Sequence, residues 1–116
     1  MYKILVSGDR YWTDTQFIKN RLSSMHKKRP IDLVIEGDAK GADKIAGQAA
    51  RELGIPVQIF PANWARFGAA AGPIRNRQML DEKPDLVVAF HDHISESRGT
   101  ADTIKEAKRR GIPVEL

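Results

Sequence analysis

A pattern that occurs three times in this chain constrains its fold more than any other feature. In each copy, a short apolar run ends in a turn that contains glycine, and a helical pattern follows. The turns carry Gly8, the pair Gly37 and Gly41, and Gly99. Glycines between a strand and a helix N-terminus expose backbone N–H groups that bind anions. Three such turns on one small sheet predict one pocket with several phosphate-binding edges.

Strand-like and helix-like segments alternate along the whole chain, which predicts an α/β fold. The predicted strands are 3–7, 31–35, 57–60, 85–90 and 113–116, and the predicted helices are 13–29, 42–53, 73–81 and 100–110. We therefore expect a Rossmann-like three-layer sandwich with a mostly parallel sheet of about five strands. In such sheets a ligand lies beyond the carboxyl ends of the strands, where the topology changes direction. All three glycine turns fall at that edge.

Local signals set the predicted helix boundaries. Thr13 is followed three residues later by Gln16, which fits a capping box and would start the first helix at Thr13. Pro73 suits the first position of a helix, because a proline has no amide hydrogen to bond there. The segment 61–72 shows no regular period, and we expect Trp64 and Phe67 to anchor it.

Length and composition bound the class of protein. The 116 residues predict a single domain spanning 1–116, large enough to bury one core. The absence of cysteine excludes disulfides, thiolate metal sites and a cysteine nucleophile. No apolar run approaches the roughly 18 residues that a membrane span needs, and no signal peptide precedes the first strand. We therefore expect a cytoplasmic protein with no membrane partner. The net charge of +4 suits an anionic small ligand at least as well as nucleic acid.

Polar side chains in the turns add binding candidates. Arg10 can bind a phosphate bidentately, or it can pair with Asp9 or Asp14. Asp43, in the first turn of its helix, can cap the helix amides or accept a hydrogen bond from a ribose hydroxyl. Lys40 lies in the same turn and can equally be exposed to solvent.

Aromatic and histidine side chains leave further alternatives open. Tyr11 and Trp12 can stack on a base or pack against the core. His91 and His93 flank Asp92 in a polar loop, but two alternating histidines do not define a metal site. We therefore expect no metal and no cofactor apart from the bound ligand.

Four ordered motifs carry a resemblance to a known superfamily. They read V-S-G-D-R-Y-W from Val6, E-G-D-A-K-G-A-D-K-I-A from Glu36, G-P-I-R-N-R-Q-M from Gly72 and S-R-G-T-A-D from Ser97. Together they resemble the SLOG superfamily of Rossmann-like nucleotide-binding domains, which includes the DNA-processing protein A fold and the Lonely Guy phosphoribohydrolases. The nearest resemblance is to the small stand-alone YspA-type, YpsA-related branch, and it covers residues 3–115. It implies a phage or bacterial protein.

The resemblance implies that a nucleotide or nucleotide-derived ligand binds at the carboxyl ends of the strands. The predicted ligand-binding residues are Gly8, Asp9, Arg10, Gly37, Ala39, Lys40, Gly41, Asp43, Arg75, Arg77, Arg98, Gly99 and Thr100. Arg75 and Arg77 are two positions apart, so on a helix their side chains point about 200° apart. One is expected at the ligand and the other in a salt bridge or subunit contact, and Arg77 is preferred at the ligand.

The segment after the fourth strand departs from the Lonely Guy motif P-G-G-x-G-T-x-x-E, whose Glu takes part in cleaving an N-glycosidic bond. Here the paired glycines are absent, and Thr103 stands in the place of that Glu. Asp102 is one position early, about 100° round the helix. Asp102, Glu96 and Arg77 remain as catalytic candidates, and whether the protein is an enzyme stays open.

Three functions from different classes remain. We favour a binding module that senses, carries or sequesters a nucleotide or a nucleotide-derived ligand, because the pocket features are present and the catalytic Glu is not. The first alternative is an enzyme, a nucleoside-monophosphate N-glycosidase. The second is single-stranded DNA binding, in which Tyr11, Trp12 and Trp64 would be the stacking platforms.

The resemblance also implies self-association, because oligomers are common in the superfamily. We expect a homodimer or a larger homo-oligomer. Phe67, residues 69–71 and Met79 would supply either its apolar interface or part of the core.

Overall fold

The sheet of this protein has five strands, all parallel to their neighbours. The computed structural model describes the backbone of residues 1–116 and every side chain except that of Ser95. The strands are Lys3–Gly8 (β1), Leu33–Glu36 (β2), Val57–Ile59 (β3), Leu86–Phe90 (β4) and Val114–Glu115 (β5), in the order β3-β2-β1-β4-β5. The predicted α/β, Rossmann-like fold is confirmed.

Helices cover both faces of the sheet. They are Thr15–Lys28 (α1), Ala42–Glu52 (α2), Trp64–Phe67 (α3), Ala71–Asp81 (α4) and Arg98–Arg109 (α5). Short 3-10 turns occupy Gly68–Ala70 and Ile94–Glu96. The chain moves from β1 to β2 and β3 on one side of β1, and then returns to β4 on the other side. The direction of winding therefore changes between β1 and β4, where such folds place a ligand crevice.

Alternation along the strands divides the core into two layers. Ile4 and Val6 of β1 face α1 and α2, where they meet Ile18 and Leu22. Leu5, between them, faces α4 and α5 on the other side of the sheet. Each fully buried side chain of this size stabilises the fold by about 1.5–3 kcal/mol relative to an exposed one. The register of β1 is thus determined by burial on both faces.

The side of α2 that faces the sheet consists of small residues. Ala46, Ala49 and Ala50 are buried there, and small side chains let the helix lie close to β1 and β2. A Cβ added to Gly47 would lie 3.2 Å from Oε2 of Glu36. Gly47 therefore makes room for a carboxylate under the helix.

Three predicted helix starts differ from the structure. The capping box at Thr13 is wrong, because α1 begins at Thr15 and Asp14 caps it by accepting a hydrogen bond from the Phe17 amide at 3.0 Å. Pro73 is the third residue of α4 and not its first. The last helix begins at Arg98 and not at Thr100. The side chains of Asp14 and Ser97 cap α1 and α5, whereas α4 follows the 3-10 turn directly and has no side-chain cap.

The residues predicted for an apolar subunit interface differ in burial. Met79 and Ala71 are core residues. Phe67 stays 37 % exposed and Trp64 59 % exposed, so α3 presents aromatic side chains to solvent and does not anchor its segment in the core. Self-association therefore stays a prediction, carried by Phe67 and by the exposed Ala69 and Ala70 of the following 3-10 turn. Within the described part of the chain, no helix has the length and apolar character to cross a membrane.

Candidate ligand-binding site

The turn after β1 is tied to two other elements by backbone contacts. The Asp9 amide donates to the Phe90 carbonyl at 2.8 Å, and the Ala42 amide donates to the Asp9 carbonyl at 3.0 Å. A Cβ on Gly8 would collide with the Phe90 carbonyl oxygen and lie 2.7 Å from the Ala42 Cβ. Gly8 is therefore required for β1, β4 and the start of α2 to meet, whatever ligand binds above them.

The loop after β2 crosses the turn after β1 at Gly41. Gly41 has a φ of +83°, a region that glycine enters at little cost. A Cβ there would collide with the carbonyl groups of Asp9 and Arg10. The two loops are thus packed together, and Gly41 is the residue that permits it.

The loop 37–41 already contains an anion of its own. Oδ2 of Asp43 accepts a hydrogen bond from the Ala39 amide at 3.3 Å, and the Gly37 amide also interacts with this carboxylate. Asp43 is only 6 % exposed. Its carboxylate therefore takes loop amides that the glycine pattern had suggested for a phosphate.

Burial affects the ionisation of Asp43. Burial raises the pKa of Asp43 to about 6, and the nearby Arg75 guanidinium and the amides of Ala39 and Gly37 limit that rise. At neutral pH the carboxylate is therefore mainly ionised and able to accept further hydrogen bonds. A second negative group placed against it would raise this pKa further.

Glu36, which sequence reasoning missed, lies buried behind the same loop. Its Oε1 accepts a hydrogen bond from the Asp38 amide at 3.1 Å. Burial, followed by the charges of Asp43 and Asp38, raises the pKa of Glu36 to about 7, while Arg51 has a smaller opposing effect. One signal could have found it, because the alternation of β2 places Glu36 on the same face as the buried Val34.

Arg75 reaches across from α4 to the loop after β2. Its Nη1 donates to the Gly37 carbonyl at 2.6 Å, and its Nε donates to Oδ1 of Asn76 at 2.9 Å. Nη2 donates to no acceptor among the described residues. Arg75 is half-buried. Its guanidinium is therefore held in place by Nε and Nη1, while Nη2 is left without a partner in the described part of the chain.

Arg77 points to α5 instead. It donates to the Pro73 carbonyl at 3.0 Å and to Oδ2 of Asp102 at 3.3 Å, and its Nη2 lies 3.9 Å from Oε2 of Glu106. The two arginines do face opposite ways, as their spacing requires. The preference for Arg77 at the ligand stays a prediction, and Arg75 is the arginine that lies at the glycine loop.

Asn76 connects the glycine loop with the start of α5, and sequence reasoning missed it as well. It is 2 % exposed. Its Nδ2 donates to the Gly99 carbonyl at 3.3 Å and to Oδ2 of Asp102 at 3.1 Å, while its Oδ1 accepts from Arg75. Its position among the buried Gly72, Met79 and Leu80 of α4 is a sign of a polar residue with a specific partner.

The first turn of α5, with its N-cap Ser97, forms the opposite wall. Arg98 and Gly99 are exposed, whereas Thr100 is buried, and the Thr100 amide donates to the Ser97 hydroxyl at 3.2 Å. A Cβ on Gly99 would meet only open space. We call the region bounded by residues 8–10, 37–41 and 97–100, together with Arg75 and Asn76, the strand-end site.

The remaining predicted contacts lie at the rim. Arg10 and Lys40 are exposed, and the Arg10 guanidinium lies 5.9 Å from the ring centre of Tyr11. Tyr11 is 74 % exposed. Trp12 instead packs against Phe90 with ring centres 6.0 Å apart. Of these two aromatic residues, only Tyr11 is free to contact a ligand.

Comparison with known proteins identifies the family. A profile described as "YspA, cpYpsA-related SLOG family" matches residues 2–67. This chain belongs to that family. The matched range includes the turn after β1 and the loop 37–41, whereas α4 and the start of α5 lie beyond it.

Two similar proteins support the assignment and the fold. Gene 61 protein of Mycobacterium phage D29 is 34% identical over 120 residues, covering 98% of this chain and 94% of that protein. The X-ray structure of DNA processing protein A from Streptococcus pneumoniae matches with a TM-score of 0.75 and 18% identity. That match covers 98% of this chain but only 49% of the other, so this SLOG protein spans about half of that length.

A further match is too distant to bear on the fold. Glycinamide ribonucleotide transformylase 1 from Symbiobacterium toebii gives a TM-score of 0.44 at 15% identity, over 97% of this chain and 61% of that one.

The segment that was compared with the Lonely Guy motif lies at the start of α5. Thr103 is fully buried, and its hydroxyl donates to the Gly99 carbonyl at 3.1 Å. Asp102 is bound by Asn76 and Arg77. Glu96 is exposed in the preceding 3-10 turn. The position that would carry the catalytic Glu thus faces the core in this chain.

Neither the histidine pair nor the groove between α1 and α2 adds a second centre. Nδ1 of His91 accepts a hydrogen bond from the His93 amide at 2.9 Å, and the described residues contain no group of three metal-ligating His, Asp or Glu side chains. A groove of about 480 Å³ lies between α1 and α2. The predicted ligand residues lie outside that groove.

Proposed function

We propose that this SLOG protein binds a nucleotide or a nucleotide-derived ligand at the strand-end site without cleaving it. The observation that carries the proposal is the placement of Arg75. Two hydrogen bonds hold its guanidinium between loop 37–41 and Asn76, and Nη2 is left for a ligand oxygen. Hydrogen bonds from a fixed guanidinium to phosphate oxygens are among the strong ones in proteins.

Three arginines provide positive charge around the site. Arg75 is fixed, whereas Arg10 is exposed on the turn after β1 and Arg98 is exposed at the start of α5. Gly99 leaves open space beside Arg98, which allows a phosphate to approach the backbone. We place the phosphate on this side, because the Asp43 carboxylate already accepts the Ala39 amide and would repel a second anion.

Asp43 then suits the sugar of the ligand. An ionised carboxylate accepts hydrogen bonds and repels a second anion. A ribose hydroxyl against Asp43 therefore agrees with a phosphate further away, near Arg98. In this orientation the Asp43 carboxylate binds backbone amides and also accepts a ribose hydroxyl, which are the two alternatives that the sequence left open.

Binding without cleavage is favoured by the residues at the start of α5. Cleavage of an N-glycosidic bond requires a carboxylate within reach of the reacting atoms. Thr103 has no carboxyl group and is buried. Asp102 is already neutralised by Arg77 and oriented by Asn76. These contacts give Asp102 a structural role in joining α4 to α5.

Single-stranded DNA is less well suited to this surface than a small molecule. Stacking of successive bases needs several exposed aromatic rings along a basic groove. Trp12 is packed against Phe17 and Phe90, which leaves Tyr11 alone at the strand-end site. Trp64 lies on α3, in the segment between β3 and α4.

The experiment has two stages. Small molecules released from the purified protein by denaturation are identified by mass spectrometry, and candidates are then titrated calorimetrically into the wild type. We expect a phosphate-containing nucleotide or derivative with one site per chain. If no small molecule co-purifies with the protein and no ribonucleotide binds to it, the proposal is overturned. Binding of oligonucleotides alone, with affinity that falls steeply with salt, would favour the DNA alternative.

A further inference from the structure

We propose that Asn76 is a positioning residue that sets the distance between the two walls of the strand-end site. It contacts Arg75 on one side and the start of α5 on the other. The inference rests on the proposed ligand-binding function, and it goes further by assigning a role to a residue that the family profile, which ends at residue 67, does not reach.

Both N–H donors and the oxygen of the Asn76 side-chain amide make hydrogen bonds. An asparagine amide has two N–H donors and one acceptor oxygen. Nδ2 donates to the Gly99 carbonyl and to Asp102, and Oδ1 accepts from Nε of Arg75. With Asn76 2 % exposed, water cannot easily replace any of these partners, so each is costly to lose.

Two of these hydrogen bonds, together with the bond from Arg75 to the Gly37 carbonyl, form a continuous link across the site. From the Gly37 carbonyl the link passes through Arg75 to Asn76, and from Asn76 to the Gly99 carbonyl. It therefore joins the loop after β2 to the turn after β4, although the two loops lie 62 positions apart from Gly37 to Gly99. Asn76 also determines which guanidinium nitrogen of Arg75 remains uncommitted.

Few side chains other than asparagine can make this link. Aspartate offers an acceptor to Arg75 but no donor to the Gly99 carbonyl, and it would place a second negative charge beside Asp102. Leucine would leave the Arg75 Nε without its acceptor and would remove one of the donors to Asp102 and to the Gly99 carbonyl. Glutamine has the same groups one methylene further out, in a space that is closed by the packing of α4 on α5.

A purely structural role would have a different consequence. If Asn76 only held α4 to α5, its loss would weaken every ligand contact in proportion to the loss of folded protein. If it sets the distance between two walls, it matters only for a ligand that touches both. A whole nucleotide gains from simultaneous engagement of two subsites, whereas its separate fragments do not.

The test uses fragments of one ligand. Each of the four ribonucleoside 5′-monophosphates, the matching nucleosides and inorganic phosphate are titrated into the wild type, Asn76→Asp and the double variant Asn76→Asp/Asp102→Asn. The double variant exchanges donor and acceptor across α4 and α5. Gln78→Glu makes the same amide-to-acid change at an exposed position of α4 and is the control.

We expect Asn76→Asp to bind the nucleotide at least about tenfold more weakly, through loss of two-wall engagement. Fragment affinities should stay within about twofold, since each fragment needs only one wall. The double variant should recover part of the loss, and Gln78→Glu should match the wild type. Equal losses for nucleotide and fragments, or no loss in any titration, would overturn the positioning role.

A second measurement tests the hydrogen bond between Arg75 and Asn76 in the absence of any ligand. Nitrogen-15 NMR of arginine side chains follows solvent exchange of the Arg75 Nε–H. We expect slow exchange in the wild type and in Gln78→Glu, and fast exchange in Asn76→Ala. Unchanged slow exchange in Asn76→Ala would overturn the inference. If no nucleotide binds the wild type, the proposed function fails, and with it the role of Asn76 toward a ligand.

Discussion

Arg75 on α4 donates a hydrogen bond of 2.6 Å to the carbonyl oxygen of Gly37. The contact joins two of the sequence motifs, and it depends on the missing side chain of Gly37. A Cβ there would lie 2.6 Å from Nη1 of Arg75 and 2.9 Å from Oδ2 of Asp43. The absence of a side chain at Gly37 therefore leaves the space that the Arg75 guanidinium and the Asp43 carboxylate occupy.

Gly37→Ala should displace Arg75 and weaken ligand binding by about tenfold, the equivalent of one charge-assisted hydrogen bond of about 1.5 kcal/mol. Calorimetric titration measures the affinity, and urea unfolding checks that the variant is folded. Gly99→Ala is the comparison for stability, because a Cβ there meets open space. If Gly37→Ala bound as the wild type does, Arg75 would have no part in the site.

Substitutions at two residues with a left-handed backbone, one after α4 and one after α2, test how these helix ends contribute to stability. Lys83, exposed after α4, has a φ of 56°, which an L-residue adopts at a cost that glycine avoids. Lys83→Gly should raise the free energy of unfolding by about 0.5–1 kcal/mol. Gly54→Ala, at a φ of +76° after α2, should lower it by about 1 kcal/mol. Urea unfolding measures both, and a destabilised Lys83→Gly would contradict the assigned backbone.

Glu36 and Asp43 should make the protein less stable as the pH rises. Their folded pKa values are raised, to about 7 and about 6, above the ordinary values of 4.5 and 3.8. The folded state therefore holds protons that the unfolded state releases, and stability falls between about pH 4.5 and pH 7. The groups that face Glu36 are Asp43, Asp38 and Arg51.

The variant Glu36→Gln isolates this effect. It removes a buried charge, so the decline in stability from pH 5 to pH 8 should shrink by about 1–3 kcal/mol. Urea unfolding at several pH values measures it. Glu106 titrates outside this window, because its hydrogen bond with Arg109 lowers its pKa to about 2. A decline that is the same in Glu36→Gln and the wild type would contradict the raised pKa.

Cleavage is tested by release of free base. Because the position of the missing Glu is the buried Thr103, we expect no base above the uncatalysed background when the protein is incubated with nucleoside monophosphates. Chromatography of the products measures it, with Asp102→Ala in parallel. Base release by the wild type that disappears in Asp102→Ala would show that Asp102 is catalytic and that binding alone is the wrong description.

Sequence patterns predicted the fold well, because strand and helix alternation carries most of the information for a parallel sheet. They predicted the chemistry of the site less well. The spacing of Arg75 and Arg77 shows that they diverge, but the identity of the inward residue depends on how α4 sits on the sheet. The buried Asn76 and Glu36 are polar residues in apolar stripes, and their partners are distant in the chain.

The most direct test compares the two arginines of α4. A ribonucleotide found to bind the wild type is titrated into Arg75→Ala, Arg77→Ala and the surface control Arg21→Ala, whose arginine pairs with Glu115. We expect Arg75→Ala to lose at least about tenfold in affinity, since it removes a charge-assisted contact, and Arg77→Ala and Arg21→Ala to bind nearly as the wild type does. Loss of affinity in Arg77→Ala with none in Arg75→Ala would contradict the account.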